Sequence, residues 1–343
     1  MKSSQVTIKD IARELGISPS TVSRALKDHP DISPETKRVV TELAEKLNYQ
    51  PNSIALSLSH STSKTIVVII PQVVHWFFST VISGIEDIAY GAGYSVIVSQ
   101  SNESYEKEVM DTRALFNNRV DGILISMSKE TTDFAHFESL YSRGIPMVFF
   151  DRVCPALNTS KVVVNDFNAA YTATKHLIDQ GYKKIAHLAG GKSLTIGKER
   201  LEGYKAALEE NGIAYEERYV AYENLVDDEK HAKGLMDELL ELSDPPEAVF
   251  ANNDVSAIGA MMSAKDKGLK IPQDFGIVGF SNWRFTELTE PALSTVDQRG
   301  FEIGQEAARL LIKEIEASED EVIEPTTKTL ETNLIIRKSS LRK

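Results

Sequence analysis

Four apolar runs in the later part of this 343-residue sequence end on residues that could hold a small polar molecule. The run at 66–70 leads into His75, Trp76, Phe77 and Phe78, and the run at 146–150 into Asp151 and Arg152. Residues 248–251 are followed by Asn252, Asn253 and Asp254, and residues 277–280 by Ser281, Asn282 and Trp283. Aromatic rings pack against the apolar face of a sugar or a base, while carboxylate, amide and guanidinium groups satisfy its hydroxyls. Taken singly, such polar residues are as well read as helix caps. Asp254 could cap a helix starting at Val255, and Asp166 one starting at Phe167. Their recurrence at successive run ends favours a binding site.

The elements that would position these residues are strands alternating with helices. Apolar strands at 66–70, 95–98, 122–126 and 146–150 are separated by helical patterns at 79–92, 105–118 and 134–142. A second set starts at 161–165 and continues at 185–189, 248–251 and 277–280, with helices near 168–180, 198–211, 228–242 and 255–267. One more helix at 302–316 and a strand at 329–336 close the chain. Repeated strand–helix units give a doubly wound parallel sheet, here in two halves. Ligand then sits between the halves, beyond the C-terminal ends of the strands, and the halves can close over it.

Before this part comes a different pattern. In residues 6–26, VTIKDIARELGISPSTVSRAL, Ile8, Ile11, Ala12 and Leu15 form one helical stripe with Thr7 as N-cap and Asp10 three residues on. Gly16 ends that helix. Ser18 caps a second one with Pro19 in its first turn, and Val22, Ala25 and Leu26 face inward. Ser20, Ser23 and Arg24 are left pointing out, a small, polar and basic face suited to a major groove. A third helix opens at Ser33-Pro34 and buries Val39, Val40, Leu43, Ala44 and Leu47. Any small helical bundle could look so, until the next stretch, YQPNSIALSL at 49–58, is included.

With TIKDIA, SxSTVSRAL and NYQPNSIALSL, residues 6–58 closely resemble the helix-turn-helix headpiece and hinge of LacI/GalR-type bacterial transcription regulators. The resemblance continues through nearly the whole chain, whose later part resembles type I periplasmic sugar-binding proteins. It implies a headpiece at 1–50, a hinge helix and linker at 51–64, and an effector-binding and dimerisation domain at 65–343. The subdomains of the last are expected at about 65–162 plus 295–320, and 163–294 plus 321–340. The implied DNA contacts are Thr7, Ser18, Pro19, Ser20, Thr21, Ser23, Arg24, Ser33 and Thr36, with Asn52, Ala55 and Leu58 from the hinge. Leu58 falls where the family wedges a leucine into the minor groove, which kinks the duplex. Arg200-Leu-Glu-Gly-Tyr204 matches the family's R-x-x-G-Y/W signature, whose arginine reaches the effector, and Asn253-Asp254 its sugar-contacting pair. The implied effector set is His75, Phe77, Phe78, Asp151, Arg200, Asn253, Asp254, Ser281 and Trp283. Ser281 departs from the pattern, since many members carry an acid there, so an acidic sugar is as open as a neutral one. The expected protein is a homodimeric repressor of carbohydrate-utilisation genes, acting on a pseudo-palindromic duplex operator.

Composition agrees once it is divided. The net charge is −12, yet residues 1–64 hold nine Lys or Arg against seven Asp or Glu, and the remainder 29 against 43. A mildly basic head on an acidic body restricts docking on phosphate to the head and hinge. No apolar stretch is long enough for a membrane span, and the opening MKSSQVTIKD has no leader-like run, so a cytoplasmic protein is expected. The lone Cys154 allows no internal disulfide and reads as a core residue. GGKSLTIGKE is not a phosphate loop, because Gly191 and Gly197 are one residue too far apart and Glu199 stands where Ser or Thr would bind Mg²⁺. Neither a nucleophile elbow nor Cys or His at metal spacing is present, so neither cofactor nor metal is expected. A sugar-metabolising enzyme with an accessory DNA-binding head is the alternative reading, and an exported transport component a weaker one.

Overall fold

The computed structural model describes residues 6–49, 62–117, 120–223, 228–318 and 320–342. They form two compact units that divide after Lys64.

The first unit holds α1 (Ile8–Leu15), α2 (Pro19–Leu26) and α3 (Pro34–Lys46). Each begins where its sequence says it should. The Thr7 amide donates to Asp10 Oδ2 at 3.0 Å, closing the first turn of α1. Gly16, at φ 67°, ends α1 in the left-handed conformation. Ser18 Oγ accepts from the Thr21 amide at 3.1 Å, and Ser33 Oγ from the Thr36 amide at 3.2 Å, each followed by a proline. Ile11, Ala12, Val22, Ala25, Val40, Leu43 and Ala44 make the core of this unit. Such small helices owe their stability to that shared core rather than to propensity.

The second unit runs β1 (Thr65–Ile70), α4 (Trp76–Gly91), β2 (Ser95–Gln100), α5 (Tyr105–Asn117), β3 (Gly122–Ile125), α6 (Ala135–Tyr141), β4 (Met147–Phe150), β5 (Ser160–Val164) and α7 (Asp166–Asp179). It continues with β6 (Ile185–Ala189), α8 (Thr195–Glu210), β7 (Val220–Tyr222), α9 (Glu229–Leu240), β8 (Ala248–Ala251), α10 (Asp254–Asp266), β9 (Gly276–Phe280) and β10 (Ser294–Asp297). α11 (Gly300–Glu316), β11 (Thr327–Leu330) and β12 (Asn333–Ile335) complete it. Among the described residues there are two six-stranded sheets, ordered β11-β5-β4-β3-β1-β2 and β12-β10-β9-β8-β6-β7. All pairings are parallel except β10 with β12. Each sheet carries helices on both faces, so its central strands read as continuous apolar runs.

The division of strands between the sheets corrects the sequence reading in three places. β5 belongs to the first sheet, beside β4, and does not start the second. β10 belongs to the second sheet although α11 after it packs on the first. The segment read as one strand at 329–336 is two strands, β11 in the first sheet and β12 in the second. Alternating apolar runs identify strands but carry no information on which sheet receives them. The chain therefore crosses between subdomains three times, after β5, after β10 and between β11 and β12.

Candidate effector cleft and nucleic-acid interface

A cavity of about 640 Å³, counted out to its solvent mouth, lies between the strand ends of the two sheets. Eight of the nine expected effector residues line it: His75, Phe77, Phe78, Asp151, Arg200, Asn253, Ser281 and Trp283. His75 is the N-cap of α4, so Phe77 and Phe78 come from the first turn of a helix rather than from a loop. The His75 ring meets Trp283 edge-on at 5.6 Å, linking the subdomains across the mouth. Ser193 Oγ donates to the Lys129 carbonyl at 3.2 Å, a second link of the same kind.

Arg200 projects from α8 and is 3% exposed. Its Nε donates to Asp166 Oδ1 at 2.7 Å and its Nη1 to the Asn252 carbonyl at 2.7 Å, and its guanidinium lies 3.7 Å from the Phe280 ring centre. Two of its three nitrogens are already committed, which leaves Nη2 as its main donor toward the cavity. The R-x-x-G-Y spacing now has a cause. A Cβ on Gly203 would stand 2.2 Å from the Phe167 carbonyl, so only glycine lets α8 approach α7 closely enough for Arg200 to reach Asp166. Tyr204 is buried and its Oη donates to the Ile185 carbonyl at 2.7 Å.

Asp166 is thus an ion-pair partner, and the cap of α7 is Asn165 instead, whose side chain accepts from the Asn168 amide at 2.9 Å. Asn253 caps α10 through Oδ1, which receives the Ser256 amide at 2.9 Å, and its Nδ2 remains for the cavity. Asp254 is a correction on both earlier readings: it neither lines the cavity nor caps the helix. It is fully buried, with Oδ1 accepting from Thr295 Oγ1 at 2.6 Å and Oδ2 from the Trp283 amide at 2.7 Å. It fixes the loop that presents Trp283.

Asp151, at φ 57° and buried beside Arg152, keeps its carboxyl pushed up to about 6 by burial, against the nearby guanidinium groups of Arg152 and Arg200. Ser281, at φ 106°, donates from Oγ to Gln298 Oε1 at 2.8 Å. Among the lining residues that the sequence reading lacks, two have polar side chains at strand ends, Gln298 and Lys129. Gln298 is 2% exposed and its Nε2 has no hydrogen-bond partner among the described residues, so it offers a donor to whatever fills the cleft. Both follow strand ends, Lys129 that of β3, which the sequence reading includes, and Gln298 that of β10, which it does not. His187, by contrast, is core: it stacks on Phe250 at 4.8 Å, and burial pushes its imidazole down to about 4.

In the headpiece, Thr7, Ser18, Pro19, Ser20, Arg24 and Ser33 are exposed, and Thr21, Ser23 and Thr36 half-buried. Arg24 makes no side-chain hydrogen bond or ion pair among the described residues, which leaves its fork available for a base edge. Asn52, Ala55 and Leu58 lie outside the described residues. No described helix is long and apolar enough to cross a membrane.

Comparison with known proteins places both parts. A family model described as "Bacterial regulatory proteins, lacI family" matches residues 7–52, and one described as "Periplasmic binding proteins and sugar binding domain of LacI family" matches residues 63–337. The catabolite control protein A of Priestia megaterium is 34% identical over 311 residues, covering 90% of this chain and 92% of that protein. The transcriptional repressor CytR of Escherichia coli K12 is 33% identical over 335 residues, covering 97% and 96%. A regulator CelR–cellobiose complex superposes with TM-score 0.74 at 27% identity, covering 98% of this chain and all of that one. The lac repressor dimer bound to operator and an anti-inducer gives TM-score 0.85 at 24% identity and supports the fold alone. CytR is named a transcriptional repressor and CelR a transcriptional regulator, and the reading as an enzyme with an accessory head finds no support among these relatives. The chain is therefore a member of the LacI family, a DNA-binding transcription regulator built of a helix-turn-helix headpiece and a two-subdomain α/β body.

Proposed function

We propose that this regulator represses carbohydrate-utilisation genes as a homodimer, and that a sugar or sugar acid in the cleft sets its grip on the operator. The observation that carries this is the lining of the cavity, where aromatic rings meet Asp151, Asn253, Gln298 and Arg200 from both sheets. Such a mixture is matched by a molecule with apolar ring faces and many hydroxyls. Of the lining cations Lys129, Arg152 and Arg200, the two arginines are paired with Glu103 and Asp166, so the lining suits a neutral sugar as well as a sugar acid. Related chains have been crystallised with cellobiose and with ribose. A protein that binds chromosomal operators acts in the cytoplasm, and that location belongs to the same proposal. The test is a gel shift on the cognate operator with and without a sugar and sugar-acid panel, beside a thermal-shift screen in which a true ligand raises the melting temperature. A panel in which nothing moves either readout would defeat the sugar reading.

Specificity is assigned to α2. Arg24→Ala should cost about 1–3 kcal/mol at the cognate operator and less on random DNA. Equal losses on both, measured by competition gel shift, would reduce Arg24 to a phosphate contact.

The hinge is assigned the kink. Leu58→Ala should remove most of the bend seen in a circular-permutation gel while the headpiece stays folded. An unchanged bend angle would sink the wedge.

The dimer surface is assigned to the free edge of the first sheet. Among the described residues β2 pairs only with β1, and Ile97 and Val98 on it, with Met110 and Tyr90 nearby in sequence, are exposed apolar side chains. An uncovered apolar edge is a hazard that a partner removes. Ile97→Asp should convert the dimer to monomer in sedimentation velocity and weaken operator binding accordingly. A variant that stays dimeric moves the interface elsewhere.

A further inference from the structure

A second cavity, of about 1110 Å³ counted out to its open mouth, lies between α5 and α6 on the first subdomain, and none of its lining residues lines the effector cleft. Arg113 and Arg143 stand at its exposed rim, and Arg113 makes no hydrogen bond or ion pair among the described residues. His136 forms the buried floor, 8% exposed. Its Nε2 lies 3.1 Å from Glu108 Oε1, and its Nδ1 is buried without a hydrogen-bond partner. Glu108 is an acceptor, so Nε2 carries a proton, and Nδ1 is left to receive a hydrogen bond, which a hydroxyl of a phosphate monoester can give. The lining carboxylate, Asp133, is already engaged by Tyr105 Oη at 3.2 Å and the Ala135 amide at 2.9 Å. Two exposed guanidinium groups over a buried, unsatisfied acceptor suit an anion that also carries a hydroxyl, the guanidinium groups taking its charge and Nδ1 its O–H.

The floor is also wired to the cleft. Glu108 Oε2 accepts the Ser128 amide at 2.8 Å and Oε1 the Thr131 hydroxyl at 2.5 Å. These residues bracket Lys129, whose amide donates to Glu103 Oε2 at 2.8 Å and whose side chain lines the effector cleft. Glu103 in turn holds Arg152, another lining residue. One short loop therefore hangs on the floor of one cavity and furnishes the wall of the other.

We infer that the α5–α6 cavity is a second ligand site for a small anionic metabolite of the phosphate-ester class, coupled to the effector cleft through Glu108 and the 126–131 loop. This does not depend on what the effector is, only on the cleft being where Lys129 and Trp283 meet. An anion that pulls on His136 shifts Glu108 and so the position of Lys129, and by linkage an occupied cleft changes affinity for the anion by the same factor.

The test uses the full-length protein and glycerol 2-phosphate, with glycerol as the neutral control. Calorimetric titration gives affinity directly. The chain has two tryptophans, Trp76 and Trp283, and neither lines the second cavity, so in a Trp76→Phe background the emission of Trp283 reports on the cleft alone. We expect glycerol 2-phosphate, and not glycerol, to bind and to change Trp283 emission. The Arg113→Ala/Arg143→Ala variant should weaken binding about tenfold or more, whereas Lys129→Gln, which lowers the positive charge of the cleft only, should not. No binding at millimolar concentration overturns the site. Binding lost in Lys129→Gln but kept in the arginine double variant places the anion in the cleft and also overturns it. Binding with an unmoved Trp283 overturns the coupling.

Discussion

Replacing Arg200 by alanine is expected to cost the effector domain about 3–5 kcal/mol and to abolish the ligand's effect on operator binding. The stability loss follows from what the guanidinium leaves behind. Asp166 is 3% exposed and has Arg200 as its ion-pair partner at 2.7 Å, and the Asn252 carbonyl would lose its donor as well. Burial already pushes the Asp166 carboxyl upward against the attraction of Arg200, so without that attraction an uncompensated buried charge remains or a proton is taken up. A melting transition lower by roughly ten degrees is the expected readout. The loss of ligand response follows from Arg200 lining the cavity, since a ligand shifts the DNA-competent population only through differential affinity for it. The two effects can be separated. Pairing Arg200→Met with Asp166→Asn removes both charges, which in buried pairs is often close to neutral. That double variant should recover most of the lost melting temperature, short of what the unpaired Asn252 carbonyl costs, bind operator through an untouched headpiece and ignore the ligand. If it still responds at the same ligand concentration, the effector site lies elsewhere.

Much of this architecture was legible because each local signal had one physical outcome. Ser18-Pro19 and Ser33-Pro34 can hardly be anything but helix starts, and both cap as their residues predict. The strand-end rule found most of the cleft, since a parallel sheet places the ends of neighbouring strands side by side. What escaped depended on which sheet receives a strand and which way a side chain turns. The sequence reading has no strand at 294–297 and places residues from 295 on in the first subdomain, so Gln298, just beyond β10, does not register as a strand-end residue. Asn253 and Asp254 are adjacent, yet one opens on the cavity and the other is sealed behind the Trp283 loop. Spacing cannot tell them apart, because the difference arises from a close contact with Gly279, distant in sequence.

That sealed carboxyl gives the second large effect: stability of the effector domain should fall as pH rises from about 4 to about 7, and Asp254→Asn should flatten the fall. Asp254 is fully buried, and a Cβ on Gly279 would stand 2.3 Å from its Oδ1, so no room remains for water. Burial pushes the carboxyl up to about 7, against the opposing pull of the Thr295 hydroxyl and the Trp283 and Phe280 amides. Below an ordinary aspartate value of 3.8 both folded and unfolded chains hold the proton, and the group contributes no slope. Between there and about 7 the unfolded chain has released it while the folded one retains it, so each pH unit costs up to ~1.4 kcal/mol from this group. Above that range both are ionised and the fall ends. Asp151, pushed up to about 6, tilts the profile the same way, so the difference between wild type and variant isolates Asp254. Asparagine suits the site, with its oxygen toward the Trp283 amide and its Nδ2 donating to Thr295 Oγ1, a hydroxyl that can accept as well as donate. Alanine does not, since it strips the acceptor from both donors and frees the loop that carries Trp283. Asp254→Ala should therefore weaken the effector while Asp254→Asn retains it. Chemical denaturation at four pH values between 4.5 and 7.5 decides the matter, and an Asp254→Asn protein whose stability falls as steeply as the wild type's would show that another group sets the slope.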